Sequence, residues 1–262
     1  MPDLNKYLER IKYTCEIKND VSTLSKLCRH HQEYIPFENL DLFGGKRKFL
    51  DFGKVYNDMV VKKRGGFCYE QNGLLYWVLT EFGFKVIMIQ GQVHANEEMG
   101  FGPRFDHLAL LVTCGDGSKW LADAGFGSNG FATPLKYETD IEQTQNNGVY
   151  ELERLNENEF VLKKLQKTVI QPDEGSTKHK FTGKEWKPLY KFDIIPRKWE
   201  DFKEMCDYQQ DNENNFLKND TLCSKQSEFG SVALWGWSAC EKHFQVEIDF
   251  DLNALPTLKS DE

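Results

Sequence analysis

The chain has 262 residues, of which 40% are hydrophobic and 28% charged, and a formal net charge of −8. This is the composition of a soluble globular protein, and the length is near the upper size for one hydrophobic core, so two or three packed subdomains are expected. The acid excess argues against nucleic acid as the main partner, because phosphate binding needs a basic surface; a small anion held by a local basic patch is still compatible.

The start, Met1-Pro2-Asp3-Leu4-Asn5-Lys6, lacks the apolar stretch of a signal peptide, and no apolar run is long enough to span a bilayer. The expectation is a cytoplasmic protein with no membrane partner. The first 80 or so residues read as helical. Asp20 stands where an N-cap belongs, ahead of Leu24, Leu27, Cys28 and His31 at helical spacing, and Pro36 ends that helix. Phe37-Glu38-Asn39-Leu40 follows as an irregular segment. Val55, Met59 and Val60 suggest a second helix, closed by Gly65-Gly66. The helix after Cys68 carries Leu74, Leu75, Trp77, Val78, Leu79 and Phe82. It is apolar nearly all round, as a buried central helix should be, and Gly83 is a natural stop.

The pattern then changes to strands at 84–93, a loop at 94–105, and strands at 107–114 and 120–123 around Gly115-Asp116-Gly117. A hairpin is expected at 150–155 and 160–165, and a further strand at 189–195, stopped by Pro196. Residues 199–210 read as a helix, 211–228 as a polar loop, and 232–239 and 244–250 as closing strands.

The most informative stretch is Arg64-Gly65-Gly66-Phe67-Cys68-Tyr69-Glu70-Gln71-Asn72. It sets a thiol between a Gly-Gly break and a helix start, where unpaired N–H groups favour a thiolate and glycine allows close backbone approach. An ordinary cysteine has a pKa of about 8.5, and a helix N-terminus or a nearby imidazolium lowers it. The remaining cysteines of the seven lack this context and contain no CxxC pair, which fits reduced cytosolic thiols. No metal-ligand spacing emerges; Cys28 with His30 and His31 comes nearest and reads as a solvated helix face.

A thiolate nucleophile needs a base, and the base an orienting group. His107 starts one strand and Asp123 ends its partner, so both lie at the open end of one hairpin. If Gly115-Asp116-Gly117 is a three-residue loop, Cys114 pairs with Ser118, His107 with Gly125, and Asp123 is His107's diagonal neighbour on the same face, within reach of a hydrogen bond. A two-residue register sends Asp123 to the opposite face. Taken alone, His107 is as readily a satisfied strand-end histidine, and Asp123 a turn cap.

The nonapeptide resembles the signature of the arylamine N-acetyltransferases. Ile35-Pro36-Phe37-Glu38-Asn39-Leu40, Asp106-His107-Leu108, Leu121-Ala122-Asp123-Ala124-Gly125-Phe126-Gly127 and the later Pro196, Asp201-Phe202 and Met205-Cys206-Asp207-Tyr208 are similar to family segments in the same order, from about residue 20 to 240. The resemblance implies an α+β multidomain fold with a cysteine-protease-like Cys-His-Asp core. A helical bundle over 1–83 would carry Cys68, a β-barrel over 84–190 His107 and Asp123, and an α/β lid would occupy 191–262. It implies a ping-pong transferase with Cys68 as nucleophile, His107 as base and Asp123 as orienting acid. Acetyl-CoA would be a co-substrate, no cofactor or metal would be permanently bound, and an aromatic amine, hydrazine or N-hydroxyarylamine would be the acceptor. A related acyltransferase or amide synthase with another acyl donor, or a transglutaminase-like thiol hydrolase, are the alternatives. By the same matching, Phe37, Val93 and Phe126 would line the arylamine pocket. Phe101, Gly102, Pro103, Arg104, Phe105 and Tyr208 would border the CoA cleft, with Arg104 meeting a phosphate. The chain departs from the family after Tyr208, where Gln210-Asp211-Asn212-Glu213-Asn214-Asn215 replaces a Thr-Ser-Pro-type segment and sets Asp211 and Glu213 where a polyanionic donor would pass.

Overall fold

A computed structural model describes residues 2–170, 180–244 and 246–251, with the backbone alone at 167–170, 180–183 and 246–251. Asp3 and Asp20 cap the helices Leu4–Arg10 and Val21–Tyr34, accepting from Asn5 N at 2.9 Å and Thr23 N at 2.8 Å. The face of Val21–Tyr34 that bears Cys28 and His31 is buried, not solvated as expected. His31 tolerates full enclosure because both ring nitrogens are partnered, Nδ1 by Tyr7 Oη at 2.9 Å and Nε2 by Gln71 Oε1 at 2.7 Å. The single helix expected around Val55–Val60 is instead an α-helical turn, Phe52–Tyr56, running into a π turn, Asn57–Val61, where Lys62 N donates to Asn57 O five residues back. The helix Cys68–Glu81 is buried from Cys68 through Leu75 and again at Val78 and Leu79, and Gly83, at φ +83°, leads the chain away.

A nine-stranded antiparallel sheet follows. Its spatial order is Leu135–Lys136, Lys119–Ala122, His107–Thr113, Lys85–Asn96, Lys180–Asp193, Glu159–Ile170, Gly148–Arg154 and Gln143–Gln145, with Gly100–Phe101 paired beside Lys85–Asn96. The two ends of that order are joined by side chains. Gln143 accepts from Lys136 N at 2.7 Å and donates to Lys136 O at 3.0 Å, and Gln145 accepts from Ala132 N and Thr133 N at 3.0 Å. Strand alternation points both glutamines the same way, so two amides stand in for a missing ladder and nearly close the sheet into a barrel. His107–Thr113 is buried on both faces. Leu108, Leu110 and Val112 pack with the helices, and Ala109 and Leu111 with the barrel interior, which is why it reads as one unbroken apolar run.

Where the expected elements differ, the cause is local. Lys85–Asn96 continues through His94 into what reads as a loop, because its last residues face solvent and turn polar. The strand expected from 189 runs Lys180–Asp193 and carries Pro188 at a register shift, where no N–H is needed. Trp199–Phe202 is a 3-10 turn leading into the helix Lys203–Asp211. The polar stretch 211–228 holds a short helix, Phe216–Asn219, and a strand, Leu222–Gln226. The strand expected over 232–239 is a hairpin, Gly230–Trp235 with Ser238–His243, turned at Gly236 with φ +55°. These strands and Val246–Asp251 form a five-stranded antiparallel sheet whose other edge is Phe37–Glu38, recruited from the helical part of the chain. The fold is thus α+β: helices, a nearly closed barrel and a further sheet. Among the described residues no helix is long and apolar enough to cross a membrane.

Candidate active site

The hairpin takes the three-residue register: Cys114 N donates to Ser118 O at 2.9 Å, and Thr113 pairs with Lys119 through to Leu110 with Ala122. Asp123 therefore falls on His107's face, and His107 Nε2 meets Asp123 Oδ2 at 2.7 Å with both side chains buried. That bond leaves Nδ1 as the ring's other nitrogen.

The imidazole is fixed by shape as well. Its ring centroid lies 4.9 Å from Tyr190 and 5.3 Å from Phe126, and it stands over Gly91, where an added Cβ would lie 3.3 Å from its Cβ and Cδ2. The Tyr190 hydroxyl is buried beside Asp123 without a well-formed hydrogen bond; burial, then the aspartate charge, pushes the phenol up.

Cys68 is the first residue of its helix and is brought to this pair by Asn72, one turn on. Asn72 Nδ2 donates to Asp123 Oδ1 at 2.8 Å and Leu108 O at 2.6 Å, while its Oδ1 accepts from Ala124 N at 2.8 Å. One side chain thus ties the cysteine helix to both strands of the hairpin. Gly125 seals the junction, since a Cβ there would lie 2.8 Å from Cys68 Cα and O. The Cys68 Sγ lies 4.0 Å from the Asp106 carbonyl oxygen.

The Gly-Gly break has a similar logic. A Cβ on Gly65 would sit 2.1 Å from Pro36 O, and one on Gly66 2.5 Å from Glu70 Oε2. Glu38 accepts from Gly65 N at 3.1 Å and pairs with Arg64 at 2.9 Å, so the Pro-Phe-Glu-Asn segment and the nonapeptide interlock. Glu70 accepts from Phe67 N at 3.2 Å and pairs with buried Lys48 at 3.2 Å; burial lifts its carboxyl to about 7. These partners make the turn rigid.

The thiol itself departs from the simple helix-terminus expectation. Burial, with smaller contributions from Cys206, Asp106 and Asp123, pushes the Cys68 thiol up, against the one lowering contact from the Tyr69 amide.

The expected acceptor residues separate into two groups. Val93 and Phe126 line a cavity of about 700 Å³ with His94, Asn129, Lys187 and Leu189, and Phe126 connects it to His107. Phe37 instead borders a small crevice with Ala124 and Gly127. Of the expected CoA residues, Phe101 packs on His94, and Gly102 cannot carry a Cβ, which would lie 2.1 Å from Asp106 Oδ2. Phe105, at φ +68°, accepts at its carbonyl from Tyr69 Oη at 2.7 Å and packs edge-on against Phe202, and Pro103 is exposed. Arg104, itself exposed, pairs with buried Asp193 at 2.9 Å, which also holds Arg197 at 3.0 Å. Tyr208 is exposed. Asp211, expected as added negative charge, pairs with Arg47 at 2.5 Å, and so does Asp207 at 2.8 Å.

Asn72 and Gly125 stand within the quoted motifs without a role, and Gly91 and Tyr190 stand outside them. For Asn72 a signal was present: four residues after Cys68, it shares that residue's helix face. The other three reveal themselves only through contacts between strands. Among the described residues no three His, Cys, Asp or Glu side chains gather as a metal site.

Fold and site together define an α+β protein with a buried cysteine, histidine and aspartate at a helix–barrel junction. The N-acetyltransferase family model matches residues 20–253. The chain is 30% identical to the liver isozyme of arylamine N-acetyltransferase of Gallus gallus, over 99% of this chain and 91% of that one, and 30% identical to arylamine N-acetyltransferase 1 of Homo sapiens, over 99% and 90%. The structure of Mycobacterium marinum arylamine N-acetyltransferase in complex with CoA superposes with a TM-score of 0.84 at 25% identity, covering 95% of this chain and 87% of that one. The chain belongs to the arylamine N-acetyltransferase family.

Proposed function

We propose that this protein transfers acetyl from acetyl-CoA to arylamines, arylhydrazines or N-hydroxyarylamines through a thioester on Cys68, acting in the cytoplasm. The observation that carries the reading is the 2.7 Å His107–Asp123 bond at the helix start that bears Cys68. Residues 1–83 supply the nucleophile, 84–190 the base and its orienting acid, and 191–262 the lid.

His107 takes the Cys68 proton as general base, and Asp123 stabilises the resulting imidazolium. In the first half-reaction the Cys68 sulfur bonds the acetyl carbon and the carbon–sulfur bond to CoA breaks. The proton passes from Cys68 to His107 and then to the departing CoA thiolate. In the second, a neutral arylamine nitrogen attacks the acetyl-Cys68 carbonyl, His107 takes the amine proton, and the Cys68 sulfur leaves. The Cys68 amide, the first N–H of the helix, is placed to meet the oxyanion. The cavity lined by Val93 and Phe126 receives the acceptor ring.

Intact-protein mass spectrometry after mixing with acetyl-CoA tests the reading. The expected result is one acetyl group on Cys68, discharged by an arylamine and absent from Cys68→Ser. No adduct, or one that an arylamine leaves in place, overturns it.

A further inference from the structure

Two consecutive glutamines on the helix Lys203–Asp211 behave differently. Gln210 is fully used: its Oε1 accepts from Lys48 N at 2.7 Å, and its Nε2 donates to Lys48 O at 3.1 Å and Cys206 O at 3.0 Å. Gln209 is only half used. Its Nε2 donates to Asp106 O at 2.9 Å, the same carbonyl that Cys68 Sγ approaches at 4.0 Å. The residue is 9% exposed, its Oε1 is buried, and among the described residues that oxygen meets no donor.

The orientation of this amide is fixed. Flipping it would set Oε1 against the Asp106 carbonyl, acceptor against acceptor. A buried acceptor with no partner is costly, and a leucine or methionine of similar size would avoid the cost. The orphan lies on the flank of the nucleophile, anchored to the carbonyl beside the sulfur. A donor group arriving with the substrate is therefore what this oxygen is built to meet.

On the acyl-transfer reading above, the arriving molecule is a thioester whose sulfur comes to Cys68. In a pantetheine thioester an amide N–H lies two carbons from that sulfur. We propose that Gln209 Oε1 accepts this N–H, making Gln209 a specificity residue for the acyl donor. The interaction is neutral on both sides and needs no phosphate contact. It lets the protein recognise the end of the donor arm where the reaction occurs. A site with a buried acceptor discriminates strongly against an analogue lacking the matching donor.

The test compares S-acetyl-N-acetylcysteamine with its ester analogue, in which oxygen replaces the amide N–H, by following acetylation of Cys68. The natural sequence is expected to prefer the N–H donor by about tenfold in second-order rate constant, the scale of one hydrogen bond to a buried acceptor. In Gln209→Met the preference should shrink to within about twofold, and KM for acetyl-CoA should rise more than kcat falls. Acetylation by 4-nitrophenyl acetate, which has no amide, reports the reactivity of Cys68 itself, and Gln209→Leu repeats the measurement if the methionine variant folds poorly. A preference that survives in both variants overturns the assignment. So does an equal loss with all three donors, which would make Gln209 merely a support for Asp106. If no donor acetylates Cys68 in the natural sequence, the acyl-transfer reading falls, and this proposal with it.

Discussion

The nucleophile side of the site and the acceptor side are built on opposite plans. Around Cys68, the Asn72 and Asp123 side chains are buried and hydrogen-bonded, and Gly125 leaves no room for a methyl group. Around the 700 Å³ cavity, the rim residues Glu97 and Lys187 meet across an open edge, and Glu97 is 81% exposed. On the proposed reading, rigidity is concentrated where the reacting atoms must be held to fractions of an ångström, and latitude is left in the cavity assigned to the acceptor. The contrast is sharpest in what each region should lose on substitution.

The largest effect is expected for Asp123→Asn. The amide keeps the shape but offers a donor or a neutral acceptor where His107 Nε2 needs a carboxylate, so the ring adopts the wrong tautomer. Acetylation of Cys68 should slow by about 10³–10⁴-fold, as seen when such an orienting aspartate is replaced elsewhere. A rate within tenfold of the natural protein, in a rapid-mixing measurement with acetyl-CoA, would show that another group orients the imidazole.

Gly125→Ala comes next. The new methyl would meet backbone atoms of Cys68 at 2.8 Å and Asn72 Nδ2 at 2.7 Å, and backbone cannot swing aside. Either the helix or the hairpin must shift, separating the sulfur from His107. The expected cost is about 10²-fold in Cys68 acetylation, the scale of a misplacement near 1 Å, with the fold retained by circular dichroism. A variant with full activity would show that the two elements tolerate slack.

A third measurement concerns the strut behind the site. Burial holds His31 near 4, whereas an unfolded histidine titrates near 6.5. Between those values the unfolded chain binds more protons, so His31's contribution to stability is present at neutral pH and is lost as pH falls from about 6.5 to 4. His31→Gln cannot titrate. Its guanidinium midpoint should therefore fall less than that of the natural protein between pH 7 and 4.5, a difference on the order of 1–3 kcal/mol. Parallel acid profiles would mean that His31 is not held neutral.

How much of this was legible in the sequence follows the same division. The Cys68 nonapeptide and the hairpin could be read from spacing, whereas its register stood open between the three-residue loop, which is observed and puts Asp123 on His107's face, and a two-residue one that does not. The interlock of Glu38 with Arg64 and Gly65, the Gln143 and Gln145 amides that close the barrel, and the burial of His31 were not legible. Each depends on partners far away in the chain, and propensity treats glutamine, glutamate and histidine as surface residues. The ends of strands were lost where one face turns to solvent, as at His94 and Asn96, and the turn at Gly236 was hidden by the aromatic residues Trp235 and Trp237 on both sides. The raised Cys68 thiol was missed because a helix start is visible in a sequence, whereas the hydrocarbon packed over it is not.

The acceptor rim provides the smallest effect and the control for the comparison. Glu97 meets Lys187 at 2.7 Å, but Lys187 also meets Glu185 at 3.0 Å, so losing one carboxylate leaves the lysine partnered. Both glutamates reach into solvent, where ion pairs contribute little and are screened by salt. Glu97→Gln should leave the thermal midpoint and Cys68 acetylation unchanged. KM for a neutral arylamine should move by no more than about threefold, because the ring contacts Val93 and Phe126 while the rim contributes only a weak field. An anionic arylamine should gain slightly and a cationic one lose slightly, and 0.5 M salt should erase the difference. A tenfold or larger change in KM for a neutral arylamine would place the rim in direct contact with the acceptor, and the cavity would then be as closely specified as the thiol.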